Sequence, residues 1–304
     1  MPIPADDPIL VAPSPTPFRA DGAVDHAAIE HNVVHWLETP LSGFVLNSEN
    51  GEEAFLSEAE RLAIVHTVHT VCGGKKLIVG GIDNPSVRET LRLGEALADA
   101  GAELLRIRIP RLTDRVQDYF EQVIPRAAVP VVMIHQMAPG KFLSNAVSIG
   151  APAELIGQLV AMDNVFGYIC SDNLRFEARL RTLISADKRF WISNGSLLLA
   201  GAVLGANGGC MMLGNVFPGE CLAILRLVRE GKLAEAQAIQ TRILEADWQI
   251  LTRGAAGIKV ALDLLGYRGG APRAPAATCA EADAARIRAA LEHVGGTLCD
   301  LEDR

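Results

Sequence analysis

Eight short apolar runs alternate along the chain with longer amphipathic segments, and this alternation constrains the fold more than any other feature. Each run has the length of a buried strand, and the segments between them have the apolar spacing of helices. Strand–helix units repeated in this order favour an α/β fold in which a parallel sheet closes into a (β/α)8 barrel, a TIM barrel. A doubly wound open sheet is the alternative, but no GxGxxG sequence follows the first run. The predicted strands are Ile9 to Val11, Gly43 to Leu46, Leu77 to Val79, Leu104 to Ile109, Val131 to Ile134, Val165 to Ile169, Phe190 to Ile192 and Cys210 to Leu213.

Several helix boundaries can be predicted from single residues. Ser57 and Glu60 have the spacing of a capping box, and Asp25 and Ser86 are predicted N-caps. After the eighth strand the pattern is helical to the end of the chain, and Gly231 separates the first two of these helices. We therefore expect a barrel over residues 1–230 and a C-terminal helical extension over residues 231–304 that packs on it.

Composition and charge argue against several classes of function. The 304 residues are 49% apolar and carry a formal net charge of -8, so binding to nucleic-acid phosphates is not expected. No run reaches the roughly 18 apolar residues of a membrane span, and the N-terminus lacks the pattern of a secretory signal. The six cysteines show no Cys-x-x-Cys spacing, which predicts reduced thiols and a cytoplasmic protein. We expect neither a metal nor another cofactor.

Four short motifs occur in a fixed order along the chain, and together they resemble the dihydrodipicolinate synthase/N-acetylneuraminate lyase family over residues 9–295. The resemblance implies a (β/α)8 barrel with a helical tail, often assembled as a tetramer. It also implies a Schiff-base lysine at the end of the sixth strand. The motifs are Pro15-Thr16-Pro17-Phe18 with Asp21-Gly22, Asn50-Gly51-Glu52 with Leu56-Ser57, Gly205-Ala206-Asn207-Gly208 with Asn215 and Pro218, and Gly257-Ile258-Lys259 with Leu265-Gly266.

The position of the family's lysine is occupied here by Ile169, in the run Val165-Phe166-Gly167-Tyr168-Ile169. Covalent catalysis through an amine needs a lysine, and an isoleucine cannot form an iminium ion. Among the six lysines of the chain, only Lys141 falls in a loop predicted at the carboxyl ends of the strands. Chemistry through a Schiff base is therefore not expected at Ile169.

The other chemical positions of the family also differ. The motif GTTGE corresponds to Ser48-Glu49-Asn50-Gly51-Glu52, so that Glu49 and Asn50 replace two threonines. The relay tyrosine of the PYY motif falls within Pro110-Arg111-Leu112, and the acid–base tyrosine corresponds to His135. A barrel can keep its scaffold while its site changes in this way.

His135 and Glu49 are the predicted catalytic residues. An imidazole can donate or accept a proton near neutral pH, although a hydrogen-bonded structural histidine is an equal alternative. Glu49 and Glu52 follow the second strand, where two carboxylates can bind an ammonium group, hydroxyl groups or a divalent cation. The alternatives are an exposed loop charge for Glu49 and a structural role for Glu52.

Further residues near the strand ends are predicted to bind substrate. Arg111 can hold an anion. Arg106 and Arg108 share a strand face: if it points inward, their guanidinium groups can also hold an anionic ligand, and if it points outward, they pair with acids on flanking helices. The outward orientation is the expectation for Arg106. Cys170 could form a thiolate–imidazole pair with His135. Alternation puts Cys170 and Ile169 on opposite strand faces, however, so at most one of them points into the barrel. The remaining predicted substrate-binding residues are Asn50, Gly51, Glu52, Gln136, Ser171, Asn194, Gly195 and Asn215.

These features predict a divergent lyase, hydratase or isomerase that acts on a small oxo-acid-like or polar metabolite without a Schiff base. A catalytically silent barrel that binds a ligand or an oligomer partner is the alternative. A third possibility is a retained class I aldolase that uses Lys141. The resemblance also implies a homodimer or a homotetramer.

Overall fold

A computed structural model describes residues 7–110, 114–135, 151–170 and 173–299. Eight parallel strands pair in chain order and close into a barrel, which confirms the predicted TIM barrel. The strands are β1 (Ile9–Pro13), β2 (Gly43–Leu46), β3 (Leu77–Ile82), β4 (Leu104–Arg108), β5 (Val131–Ile134), β6 (Val165–Ile169), β7 (Arg189–Ile192) and β8 (Gly208–Cys210). The helices are α1 (His26–Leu37), α2 (Glu58–Cys72), α3 (Val87–Asp99), α4 (Val116–Val123), α5 (Ala153–Val160), α6 (Leu174–Arg181), α7 (Leu198–Val203), α8 (Pro218–Arg229), α9 (Leu233–Leu251), α10 (Gly254–Leu264) and α11 (Glu281–Val294).

Alternate residues of each strand pack into two separate apolar cores. The larger core lies between the strands and the surrounding helices, and includes Leu105, Ile107 and Met133. The smaller core fills the barrel interior, where Val132 and Trp191 are completely buried. Because helices cover the outside and side chains fill the inside, most strand residues are apolar on both faces.

The predicted helix caps are confirmed. The Ser57 hydroxyl accepts a hydrogen bond from the Glu60 backbone N–H at 3.3 Å, and the Glu60 carboxylate accepts one from the Ser57 backbone N–H at 2.8 Å. The side chains of Asp25 and Ser86 cap α1 and α3. These bonds satisfy backbone donors that the first helical turn leaves unpaired.

The eighth strand differs from the prediction, since it spans Gly208–Cys210 and is followed by a 3-10 turn over Met212–Asn215. The reason is steric. A Cβ atom on Gly208 would clash with the Ile9 carbonyl oxygen and would lie 2.6 Å from the Trp191 ring. Glycine at this position makes room for Trp191 inside the barrel, and its low strand propensity hides the start of the strand in the sequence.

The three last helices pack on one another, α9 packs on α8, and α10 contacts the turn after β2. A boundary at residue 230 stays a prediction. Within the described ranges, no helix combines the length and apolarity required to cross a membrane. All six cysteines are free thiols.

Candidate functional site

Two arginines of β4 point into the barrel near its carboxyl end. Leu104 belongs to the interior core, and Arg106 and Arg108 follow it on the same strand face. Both arginine side chains are almost completely buried. The expectation that Arg106 points outward is therefore wrong. The alternation of residues along β4 defines two strand faces, but it does not reveal which of them lies inside the barrel.

Carboxylates from the loops after β2 and β3 surround the two guanidinium groups. Arg108 Nη1 donates to Asp83 Oδ2 at 2.5 Å, and Arg108 Nη2 donates to Glu53 Oε1 at 3.2 Å. Arg106 Nη2 donates to Glu53 Oε2 at 3.3 Å. Buried charges are tolerated only when they are paired in this way. Glu53 and Asp83 thus hold the two arginines in fixed positions.

Glu49 is the exposed member of this charged cluster. Its Oε2 atom lies 3.6 Å from Arg108 Nη2, while 66% of its side chain is accessible to solvent. The 3-10 turn Glu49–Gly51 presents it, and this turn is held by a hydrogen bond from Thr16 Oγ1 to the Gly51 carbonyl. Asn50 is half-buried in the same turn. Glu49 therefore combines contact with solvent and proximity to a buried cation.

The Glu52 carboxylate contacts the C-terminal region instead of the two arginines. Its Oε2 atom forms a buried ion pair with Lys259 Nζ of α10 at 2.5 Å, and its Oε1 atom accepts from the Arg273 backbone N–H at 2.9 Å. Lys259 also donates to the Ala271 carbonyl and stacks over the Phe18 ring. Burial lowers the pKa of Lys259, and the Glu52 carboxylate opposes that shift.

Apolar side chains fill the barrel interior beside the charged cluster. Ile169, at the end of β6, is fully buried in the interior core with Ile134, Val132 and Trp191. In the part of the chain that the structure describes, no lysine joins Glu49, Asp83 and Arg108 in lining the cavity at the mouth of the barrel. An amine at the Ile169 position would face the interior, whereas the side chain present there offers no reactive atom.

His135 lies on the helix side of β5 and does not join the charged cluster. Its ring packs 5.2 Å from the ring of Phe176 on α6, measured between centroids. Neither ring nitrogen has a hydrogen-bond partner among the described residues. Burial lowers the pKa of His135 from 6.5 to about 4, so that the imidazole is neutral at pH 7.

Cys170 also faces the helices, in the outer core, on the side opposite to Ile169. This agrees with the predicted alternation. Burial raises the pKa of the Cys170 thiol well above its ordinary value, and the neighbouring Glu177 carboxylate adds to that effect. Tyr168 donates to the same carboxylate at 3.1 Å. A thiolate at Cys170 is therefore disfavoured at neutral pH.

The polar residues after β7 and β8 are engaged in holding turns. The Asn194 side chain accepts from the Ser196 backbone N–H, and the Gly195 carbonyl accepts from Gln240 of α9. Asn215 is completely buried, and its amide donates to the carbonyls of Pro13 and Met212. These hydrogen bonds give Asn194, Gly195 and Asn215 a part in the turns, and their predicted binding of substrate stays a prediction.

Four of the predicted residues lie outside the described residues: Arg111, Gln136, Lys141 and Ser171.

A cavity of about 510 Å³ opens above the charged cluster. Glu49, Glu53, Asp83 and Arg108 line its barrel side, and the C-terminal helical region lines the opposite side. Asp83 was missed from the sequence, although it directly follows β3, where a barrel keeps its functional side chains. No group of three metal-ligating side chains occurs in the described ranges.

Comparisons with known proteins agree with this architecture. The model of the "Dihydrodipicolinate synthetase family" matches residues 8–294. A 4-hydroxy-tetrahydrodipicolinate synthase from Sorangium cellulosum is 29% identical over 290 residues, which cover 92% of this chain and 93% of the relative. A protein named "Probable 4-hydroxy-2-oxoglutarate aldolase, mitochondrial" from Emericella nidulans is 25% identical over 298 residues, covering 93% and 94%. The crystal structure of dihydrodipicolinate synthase from Aquifex aeolicus superposes with a TM-score of 0.86 at 18% identity, over 96% of this chain and 100% of that chain.

Proposed function

The chain belongs to the dihydrodipicolinate synthetase family, and from this premise we propose that it is a lyase that works without a Schiff base. Its relatives are named as aldolases and synthases. The proposed substrate is a small oxo-acid-like or polar metabolite, which binds at the mouth of the barrel beside Arg108. The proposed reaction is acid–base cleavage or elimination without a covalent intermediate.

The observation that carries this proposal is the inward position of Ile169. Its side chain is buried among Ile134 and Trp191, so this strand position supplies no nucleophile. A fixed cation remains at the carboxyl end of β4, because Asp83 and Glu53 hold the Arg108 guanidinium. A preorganised cation can stabilise negative charge that develops on a substrate oxygen without covalent help.

We propose Glu49 as the proton carrier of this site. Its carboxylate is exposed toward the cavity and lies beside Arg108, so it can reach a bound molecule. His135 is the other proposed catalytic residue, but its ring packs against Phe176 on α6. The geometry therefore supports Glu49 better than His135.

One observation favours the silent barrel as a second candidate. Both interior arginines are already engaged by carboxylates of the chain itself, and a ligand anion would have to compete with them. A barrel of this kind would bind a small molecule or a partner chain without converting it.

A kinetic experiment separates these possibilities. Hydroxylated 2-oxo acids are supplied to the protein, and the release of pyruvate or the loss of water is recorded. Glu49→Gln should lower kcat by about 10²- to 10⁴-fold with little change in KM, as expected for the loss of a general acid or base. His135→Leu is the matched comparison and should retain most of the rate. An unchanged kcat in Glu49→Gln would remove Glu49 from the mechanism, and binding without turnover would favour the silent barrel.

We further propose that the chain assembles as a homodimer or a homotetramer. Leu244, Trp248 and Leu251 lie on one face of α9 and are 42%, 59% and 38% exposed. Spacings of four and three residues align them into one apolar stripe. Burial of such a stripe between copies of the chain would remove it from water.

A further inference from the structure

The cavity at the barrel mouth has two chemically different walls. The barrel wall is charged and presents Glu49, Asp83 and Arg108. The opposite wall comes from the C-terminal helical region and presents small apolar residues, among them Ala256 and Ala277, next to Arg253. The exposed ring of Phe55 lines the same cavity. The barrel wall is therefore mainly charged, whereas the C-terminal wall is mainly apolar.

The size of the cavity exceeds what a three-carbon oxo acid needs. About 510 Å³ is available, and sites of roughly 300–1,000 Å³ accommodate ligands of drug-like size. A molecule held only by Arg108 and Glu49 would leave the alanine-lined wall in contact with water. The alanines are the feature that keeps this volume open, since each larger side chain in their place would project into it.

The apolar wall is held in place by Arg273. Its guanidinium donates to both carboxylate oxygens of Glu60 and to the carbonyls of Gly22 and Phe55. Its backbone N–H donates to Glu52. The segment that carries Pro272, Ala276 and Ala277 is thereby tied to the loops after β1 and β2. A wall fixed before binding costs little ordering when a ligand packs against it.

We infer that the natural ligand is amphiphilic, with a polar head at Arg108 and Glu49 and an apolar body of several carbons against Ala256 and Ala277. This inference concerns the substrate class of the site proposed above and rests on that proposal for the position of the head. The apolar body gains affinity because it displaces water from apolar surface. Each added methylene group should tighten binding about fourfold while it remains inside the cavity.

Two homologous series of ligands test this inference. The first contains straight-chain 2-oxo acids from pyruvate to 2-oxooctanoate, and the second contains primary alkylamines of the same lengths. Dissociation constants are measured by titration calorimetry on the full chain. The two head groups are needed because the cavity presents both a cation at Arg108 and a carboxylate at Glu49. In at least one series, Kd should fall about fourfold per methylene over several steps.

Two exposed alanines of the C-terminal region provide the matched variants. Ala277 lines the cavity, whereas Ala282 lies in the first turn of α11 and does not line the cavity. Ala277→Leu should remove most of the decrease in Kd per added methylene group, whereas Ala282→Leu should leave that decrease unchanged. Glu49→Gln should also preserve it, so that a failure of the proposed acid–base role is distinguished from a failure of this inference. Three outcomes would overturn the inference: a Kd that does not change with chain length for either head group, no detectable binding, or equal effects of Ala277→Leu and Ala282→Leu.

Discussion

The buried imidazole of His135 predicts a specific acid sensitivity of the fold. Its pKa falls from 6.5 to about 4 because burial disfavours the charged ring. The folded state therefore binds fewer protons than the unfolded state between these two pH values. For a group whose folded pKa is depressed, stability is fully present above the unfolded pKa and is lost as the pH falls toward the folded pKa.

The size of the effect follows from the two pKa values. At pH 7.5 the ring is neutral in both states, so its ionisation does not change the free energy of unfolding. At pH 4.5 the unfolded chain is protonated at His135 and the folded chain is mostly not, which corresponds to a loss of about 2.5 kcal/mol at ~1.4 kcal/mol per pKa unit. The full loss below pH 4 approaches about 3.4 kcal/mol.

Urea unfolding of the wild-type chain and His135→Leu at pH 7.5 and pH 4.5 measures this quantity. Other titrating groups contribute to both proteins, so the difference between their pH dependences isolates His135. The wild type should lose about 2.5 kcal/mol more than the variant between the two pH values. Identical pH dependences would refute a neutral, buried His135.

Two further predictions concern the tail helices. Lys259→Met keeps the apolar stem of the side chain but leaves Glu52 buried without its cation. The free energy of unfolding should therefore fall by about 3–5 kcal/mol, and adding Glu52→Gln should restore part of it. A loss below about 1 kcal/mol would contradict a buried ion pair of this kind. Trp248→Glu places a charge in the exposed apolar stripe of α9, and light scattering after size-exclusion chromatography should then report a smaller assembly than for the wild type, whereas an unchanged mass would exclude this face as the interface.

The barrel could be predicted from the sequence because each strand is a short apolar run bounded by turn residues. Seven of the eight predicted strands overlap the observed ones closely, and Gly43–Leu46, Val131–Ile134 and Val165–Ile169 agree at both ends. The eighth was displaced because Gly208 leaves room for the ring of Trp191 on the neighbouring β7, a contact that local propensity does not encode.

The direction of side chains was harder to predict than the strands themselves. In a barrel covered by helices, both strand faces are buried, so the alternation of residues in β4 and β5 fixes two faces without showing which is inside. Arg106 was consequently assigned outward, and the position of His135 on the helix side was not anticipated. The apolar wall of the cavity carries no chemical motif, and alanines such as Ala256 acquire their role only from the packing of the tail.

Reductive trapping tests the central claim, that no ε-amino group in this site condenses with a carbonyl. The protein is incubated with pyruvate and sodium borohydride, and its intact mass is compared with that of a family member that carries the lysine. The chain should keep its unmodified mass while the lysine-containing relative gains one reduced pyruvate. A stoichiometric adduct, mapped by peptide sequencing to Lys141 or any other lysine, would contradict the claim and identify the chain as a Schiff-base aldolase.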